Sequence, residues 1–500
     1  MLLDHPSLEP FEPLVRDLFD LAFGAALRGL AAAGLQPEEV WHTEAGRMFQ
    51  AACLPGFKRA QEAVGTKVIA FEKQIASLRA DEATARVKRD ITTAGRLKEL
   101  RVVLQNRQLV QRRLLDAMLW VLVWPNRWVI RQLRLEGGIK RIDPSVVEPW
   151  LRAVSQEHSK SDETFLLLCD LTTVAQLGDL IIAKWNPNRN SMRIVVGEGK
   201  VGPRNVLLYK RLHDPAVPDQ ANAISKISQE LGAKAAKQAQ RMVKQEARLR
   251  NFGQVVATDE GTHPMTGQPF SLGGGAHAAK DCRDEIRTLI ARAKLEGSYG
   301  LTLDGCLHFY AFTADNKPPS KEALATAHAF YNMKHGDLCG LKGPHTAQEE
   351  EITAIRDGPR VINLFDFGMH NSIGMPPLLW YPRDAMLDVL MGRVKVFAQL
   401  EHEKFFEFAS RAGLRMRFIT GREAGQIKSA KLFVPLPEYR DVRFVRAENA
   451  QGTTTVFGAR FFARVYLDLI RPNDLLFMAQ DLVRQATEDR QHKRRDAEQR

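Results

Sequence analysis

Three short β-rich runs between residues 165 and 201 restrict this chain's fold more than any other feature. They are 165–169 (FLLLC), 180–183 (LIIA) and 193–196 (RIVV), and turn-prone pieces separate them, above all Asn186-Pro187-Asn188-Arg189-Asn190. Runs this short and rich in branched residues, with Asn and Pro between them, predict a compact three-strand meander. Side chains alternate across a strand, so Glu198 and Lys200 are expected on one face, with Gly199 turned away. Asp179 begins the partner strand and can point at the same spot. Two carboxylates and an ammonium would then converge at one end of an otherwise apolar hairpin. Unpaired charge on a partly buried face is strongly disfavoured, so the pattern calls for something bound there.

A divalent cation answers that need. Hard oxygen ligands from Asp179 and Glu198 suit Mg2+ or Mn2+, which keep several waters and take one or two carboxylates from a protein. Water on such a cation has a lowered pKa and can attack phosphorus, while Lys200 can orient it and neutralise the charge that develops.

At Gly178-Asp179, the short hairpin and Glu198-Gly199-Lys200, the sequence resembles the PD-(D/E)xK, or restriction-endonuclease-like, superfamily. The resemblance implies metal ligation by Asp179 and Glu198, catalysis by Lys200, and hydrolysis of phosphodiester bonds in DNA, or else RNA. It also implies an α/β core of a helix, three strands, a helix and a closing strand, forming a mixed sheet flanked by helices. Residues 147–157 would supply the first helix, 281–295 the second and 301–312 the closing strand. No Pro precedes Asp179, which departs from the family's usual pattern. A further acid on the first helix is common in the family, and Glu157 and Glu163 both remain candidates. A role in restriction or antiviral defence is a habit of the family, implied only at that level.

A helix is expected over residues 220–250. Lys234, Lys237, Arg241, Lys244 and Arg248 recur along it at spacings of three and four. Ile224, Ile227, Leu231, Ala235, Met242 and Leu249 form an apolar stripe beside them. Such a helix can lie along a phosphate backbone while its other side packs. The alternative is a solvated basic face. The formal charge of +12, from 71 Lys and Arg against 59 Asp and Glu, favours a polyanionic partner, with nucleic acid ahead of anionic membrane.

Around this core, residues 1–150 read as a helical region. Val64, Val68, Phe71, Ile75 and Leu78 share one helix face, and a second helical run covers 96–122 until Pro125 breaks it. Two long amphipathic helices suit packing on the rest of the chain, or else a homo-oligomer or partner-subunit contact. The nuclease-like core is expected over 151–315, with a basic helical insertion at about 205–280. A C-terminal α+β domain with a charged tail fills 316–500. Within it, strands are expected at 361–367, 414–420 and 453–462, a long helix at 385–412 and a final helix opening at Pro472.

Other features exclude more than they suggest. The longest apolar run, 117–124, is too short to span a bilayer, and the acidic, Pro-containing start lacks a basic leader region. The five cysteines, Cys53, Cys169, Cys282, Cys306 and Cys339, include no CxxC pair. That pattern fits buried thiols in a reducing cytoplasm. Cys306 with His308, and His335 with Cys339, each lack a second close pair, so no structural zinc is expected. Asp366-Phe367-Gly368 stands without the loops of a kinase, and Gly273-Gly274-Gly275 without the Lys of a phosphate loop. Asp304 and His370 could approach a site only through the fold. Two rival readings stand beside the nuclease: a non-catalytic nucleic-acid-binding or assembly subunit, and a structural partner that oligomerises through its N-terminal helices.

Overall fold

A computed structural model describes residues 2–35, 43–124, 141–175, 178–197, 203–214, 219–258, 260–262, 269–271, 281–313, 362–370, 374–379, 383–419, 444–457 and 460–498. It also describes positions 40, 129, 130, 133, 139, 217 and 423. The chain is a mixed α/β protein with a helical N-terminal region and several small antiparallel sheets. It divides into two compact units. One comprises residues 1–16, 102–113 and 276–500, and the other residues 17–101 and 114–275.

The second unit holds the meander. β1 (Thr164–Leu168), β2 (Leu180–Asn186) and β3 (Ser191–Gly197) form an antiparallel sheet in sequence order, with Leu168 opposite Leu180 and Leu180 opposite Gly197. Asn186 accepts a hydrogen bond from the Arg189 N–H, and Asn190 turns the chain with a left-handed φ of 44°. These are the two roles for which Asn is chosen in turns. One face is apolar and buried through Phe165, Leu167, Ile181, Ala183 and Trp185, so the period-two pattern fixes the register. Phe57, from the helix Glu44–Val87, meets Phe165 with ring centroids 5.7 Å apart.

β1 is an edge strand, and two side chains satisfy its outer backbone. Gln61 donates to the Leu166 carbonyl at 2.8 Å and accepts from the Leu168 N–H at 2.9 Å. His158, at the end of the helix Pro144–His158, accepts from the Leu166 N–H through Nε2 at 2.9 Å. An edge covered in this way cannot template pairing with another chain.

After β3, helices Pro203–Leu212, Gln220–Leu231 and Ala233–Thr258 enclose a small core of Leu208, Leu212, Ala223, Ile227, Ala235, Ala239 and Met242. The continuous helix expected over 220–250 is broken in two. Gly232, at φ 83°, takes a backbone conformation that ends one helix and lets the next pack back on it.

The other unit contains a four-stranded antiparallel sheet in the order Ser298–Leu303, Leu307–Thr313, Val394–Leu400, Ile362–Asn363. The helix Arg283–Glu296 packs on it. These elements were expected to be the second helix and closing strand of the nuclease-like core, yet they belong to a sheet of their own. The run 301–312 is two strands, because Asp304 and Gly305 both take positive φ, 49° and 71°, and form a tight hairpin turn. The expected 385–412 helix is a helix, Arg383–Leu390, then the strand Val394–Leu400 and a second helix, His402–Arg411. Gly392, at φ 73°, ends the first. The expected 361–367 strand shrinks to Ile362–Asn363 before a helix at Leu364–His370, and 453–462 divides into a strand, Thr454–Phe457, and the start of a helix, Arg460–Leu467. That strand pairs with Val445–Asn449, which pairs with Leu414–Phe418, and the last helix is Pro472–Glu498.

His158 gives the second unit a pH dependence. Burial, helped by the Lys58 ammonium, lowers its pKa from 6.5 to about 4, so the folded protein holds a neutral imidazole. Between pH 6.5 and 4 the unfolded chain takes up a proton that the folded chain refuses, so stability falls as pH falls through that window. Denaturant unfolding from pH 7 to 4 should show wild type losing on the order of 2–3 kcal/mol more than His158→Gln. Parallel losses in the two proteins would contradict a buried neutral His158.

Candidate active site

Asp179 stands just before β2, where β3 and the turn after β1 hold its backbone. Its N–H donates to the Gly197 carbonyl at 3.0 Å, and its carbonyl accepts from the Cys169 N–H at 3.0 Å. The side chain is half-buried. Gly178 makes this placement possible. At φ 77° it occupies the left-handed region, and a Cβ there would lie 2.5 Å from Val196 Cγ1 and 2.8 Å from the Gly197 carbonyl oxygen. Any other residue would strain the turn and push β3 away.

A buried carboxylate anchors the loop that leads from β1 towards this turn. Asp116 is fully buried in the apolar end of the helix Ile91–Val123. It accepts from the Thr173 N–H at 2.8 Å, from the Val174 N–H at 3.3 Å and from the Thr173 hydroxyl. Thr172 continues the chain of bonds: its hydroxyl donates to the Cys169 carbonyl at 2.8 Å and accepts from the Ala175 N–H at 3.0 Å. The Cys169 N–H in turn reaches Asp179. Asp116 therefore secures the turn at the end of β1 from which Asp179 is held. The sequence reading missed it. Its only signal was an acid within Leu114-Leu115-Asp116-Ala117-Met118-Leu119, where a charge needs several partners to be buried.

Glu198, Gly199 and Lys200 lie outside the described residues, as does Leu177. Asp179 is thus the one expected metal ligand whose placement is described. Among the described residues no three His, Cys, Asp or Glu side chains gather into a metal-binding group. Glu157 and Glu163 are both exposed, and Glu157 pairs with Lys160 at 2.5 Å.

All five residues of the basic stripe lie on the helix Ala233–Thr258. Lys234, Lys237, Arg241 and Lys244 are exposed and Arg248 half-buried, while Ala235, Ala239 and Met242 face inward. None of the five cations is ion-paired to another described residue. The stripe is a solvent-facing array of positive charge, backed by its own small core.

The remaining candidates have structural employment. His308 is buried, hydrogen-bonded with Thr302 at 2.9 Å through Nδ1, with its Nε2 2.6 Å from a Glu401 carboxylate oxygen, and burial lowers its pKa. Burial pushes the Cys306 thiol up to about 12 and raises the Cys53 and Cys282 thiols as well, so none is a ready thiolate. Asp304 accepts from the Asn473 N–H at 3.0 Å and so caps the final helix. His370 is exposed at a helix end. His335, Cys339 and the Gly273–Gly275 triplet lie outside the described residues.

No family model matches the chain, and no curated protein and no solved structure matches it either.

Asp116→Ala would leave three buried donors without their acceptor. It should cost roughly 3–5 kcal/mol in denaturant unfolding. A loss below about 1 kcal/mol would mean that water or a neighbouring group takes over the carboxylate's role.

Proposed function

We propose that the chain is a metal-dependent nuclease that hydrolyses phosphodiester bonds in DNA, or less readily RNA, at Asp179, Glu198 and Lys200. The observation that carries this reading is the fixing of Asp179. Backbone bonds to β3 and to the turn after β1 present one half-buried carboxylate at the end of the meander, beside the last described pair of the β2–β3 ladder. The reading requires that ladder to continue by one pair, so that Glu198 comes across from Asp179.

The chemistry then follows from the residue types. Asp179 and Glu198 would hold Mg2+ or Mn2+, which supplies charge neutralisation and an acidified water. Lys200, two residues beyond Glu198, would place its ammonium against the non-bridging phosphate oxygens and stabilise the charge that grows there. In hydrolysis the water would give its oxygen to phosphorus and, through solvent, a proton to the departing sugar oxygen. The exposed cations of the helix Ala233–Thr258 would hold the nucleic-acid backbone without reading its sequence.

The exposed basic stripe also favours a second reading, a nucleic-acid-binding or assembly subunit without catalysis. Metal dependence separates the two. Glu198→Ala and Lys200→Ala should each lower Mg2+- or Mn2+-dependent cleavage by at least about a hundredfold and leave the melting temperature unchanged or raised. Metal-independent binding with no cleavage of DNA or RNA by wild type in any divalent cation would overturn the nuclease in favour of the binding subunit.

A further inference from the structure

The outer face of the meander carries two cations in direct opposition. Lys184 on β2 and Arg193 on β3 are register partners, so their side chains leave the same face from positions whose Cα atoms lie about 5 Å apart. Both are exposed, and neither is ion-paired to another described residue. Arg189, also exposed, follows in the turn that joins the two strands. The acid tied to that turn is Glu44, whose carboxylate accepts from the Asn190 side chain at 2.7 Å and pairs with none of the three cations.

Like charges placed directly across an antiparallel ladder destabilise it. Nothing in the strand pattern demands the pair, since exposed positions on such a face accept Thr, Gln or an opposite charge equally well. Thr164 in fact fills the same row on β1, opposite Lys184. The arrangement is therefore costly to the fold and makes sense with an anion between the two side chains.

We propose that Lys184 and Arg193, with Arg189 beside them, form a phosphate-contact site for a nucleic-acid backbone. The partner follows from a second array of charge in the same compact unit. The helix Ala233–Thr258, bearing the stripe of Lys234, Lys237, Arg241 and Lys244, packs against β3. Two separate sets of cations in one unit, none ion-paired to another described residue, suit an extended polyanion better than a single bound phosphate. This inference rests on the nucleic-acid substrate proposed above but not on its cleavage.

The test uses the full chain, a fluorescently labelled DNA duplex and EDTA, so that binding is read without cleavage. Lys184→Glu sets an acid opposite Arg193, removing the repulsion and neutralising both contacts. Its melting temperature should hold or rise while affinity near 50 mM salt falls at least about tenfold. The plot of log affinity against log salt should become shallower by about 1.8, two contacts at 0.9 each. Lys184→Arg keeps the charge and should bind like wild type. Unchanged affinity and slope in Lys184→Glu, with wild type binding normally, would overturn this site alone. So would equal weakening in Lys184→Arg, which would point to hairpin geometry and not to charge. Wild type that binds poly-glutamate-like acidic chains but not DNA or RNA would overturn the site and the nucleic-acid substrate together.

Discussion

The end of the meander depends on one buried charge. Asp116 sits in the most apolar stretch of its helix, where an unpartnered carboxylate would be prohibitively expensive. Backbone and hydroxyl donors of Thr173 and Val174 resolve that cost, and in doing so they fix the turn that follows β1. From this turn the bonds run through Thr172 and Cys169 to the backbone of Asp179 and on to Gly197. A carboxylate that cannot be hydrated thus secures the peptide of one that is partly open to water. Rigid support of this kind is what a metal ligand needs, since small displacements of a first ligand sharply weaken a site.

The second unit closes the β1 edge of its sheet and treats the two faces differently. Gln61 and His158 close the β1 edge through side-chain hydrogen bonds, and the inner face is filled by aromatic and aliphatic packing. Positive charge is left where water reaches: on the outer face of the hairpin and along the helix Ala233–Thr258. The three-helix group has its own core, and the helix Ala233–Thr258 also packs against β3, so its basic surface is displayed by a helix held from behind. Stability and charge display are separated within one unit, which lets the cations face solvent without weakening the interior.

The sequence made the meander legible because a one-sided sheet writes its register in period-two burial, and because Asn186 and Asn190 are residues that a tight turn selects. The basic stripe was equally legible as a surface, since helical spacing places residues on one face whatever lies around them. Gly232 was overlooked as a breaker, although its position between two amphipathic runs marked it. The strand Val394–Leu400 was mistaken for helix because it is covered on both faces, so its apolar run shows no alternation. The Asp304-Gly305 turn was a readable hairpin signal inside a run taken as one strand. The role of Asp116 was out of reach for a different reason. Its partners lie 57 and 58 residues away, and only the fold brings them together.

The central claim is that Asp179 and Glu198 together bind a divalent cation, and Mn2+ binding tests it without any assumption about substrate. Titration of the full chain, followed by electron paramagnetic resonance or calorimetry, should give a saturable site in wild type. Asp179→Asn and Glu198→Gln should each weaken that site by at least about tenfold, while Glu157→Gln leaves it unchanged. Mn2+ bound as tightly by Asp179→Asn as by wild type would contradict the claim.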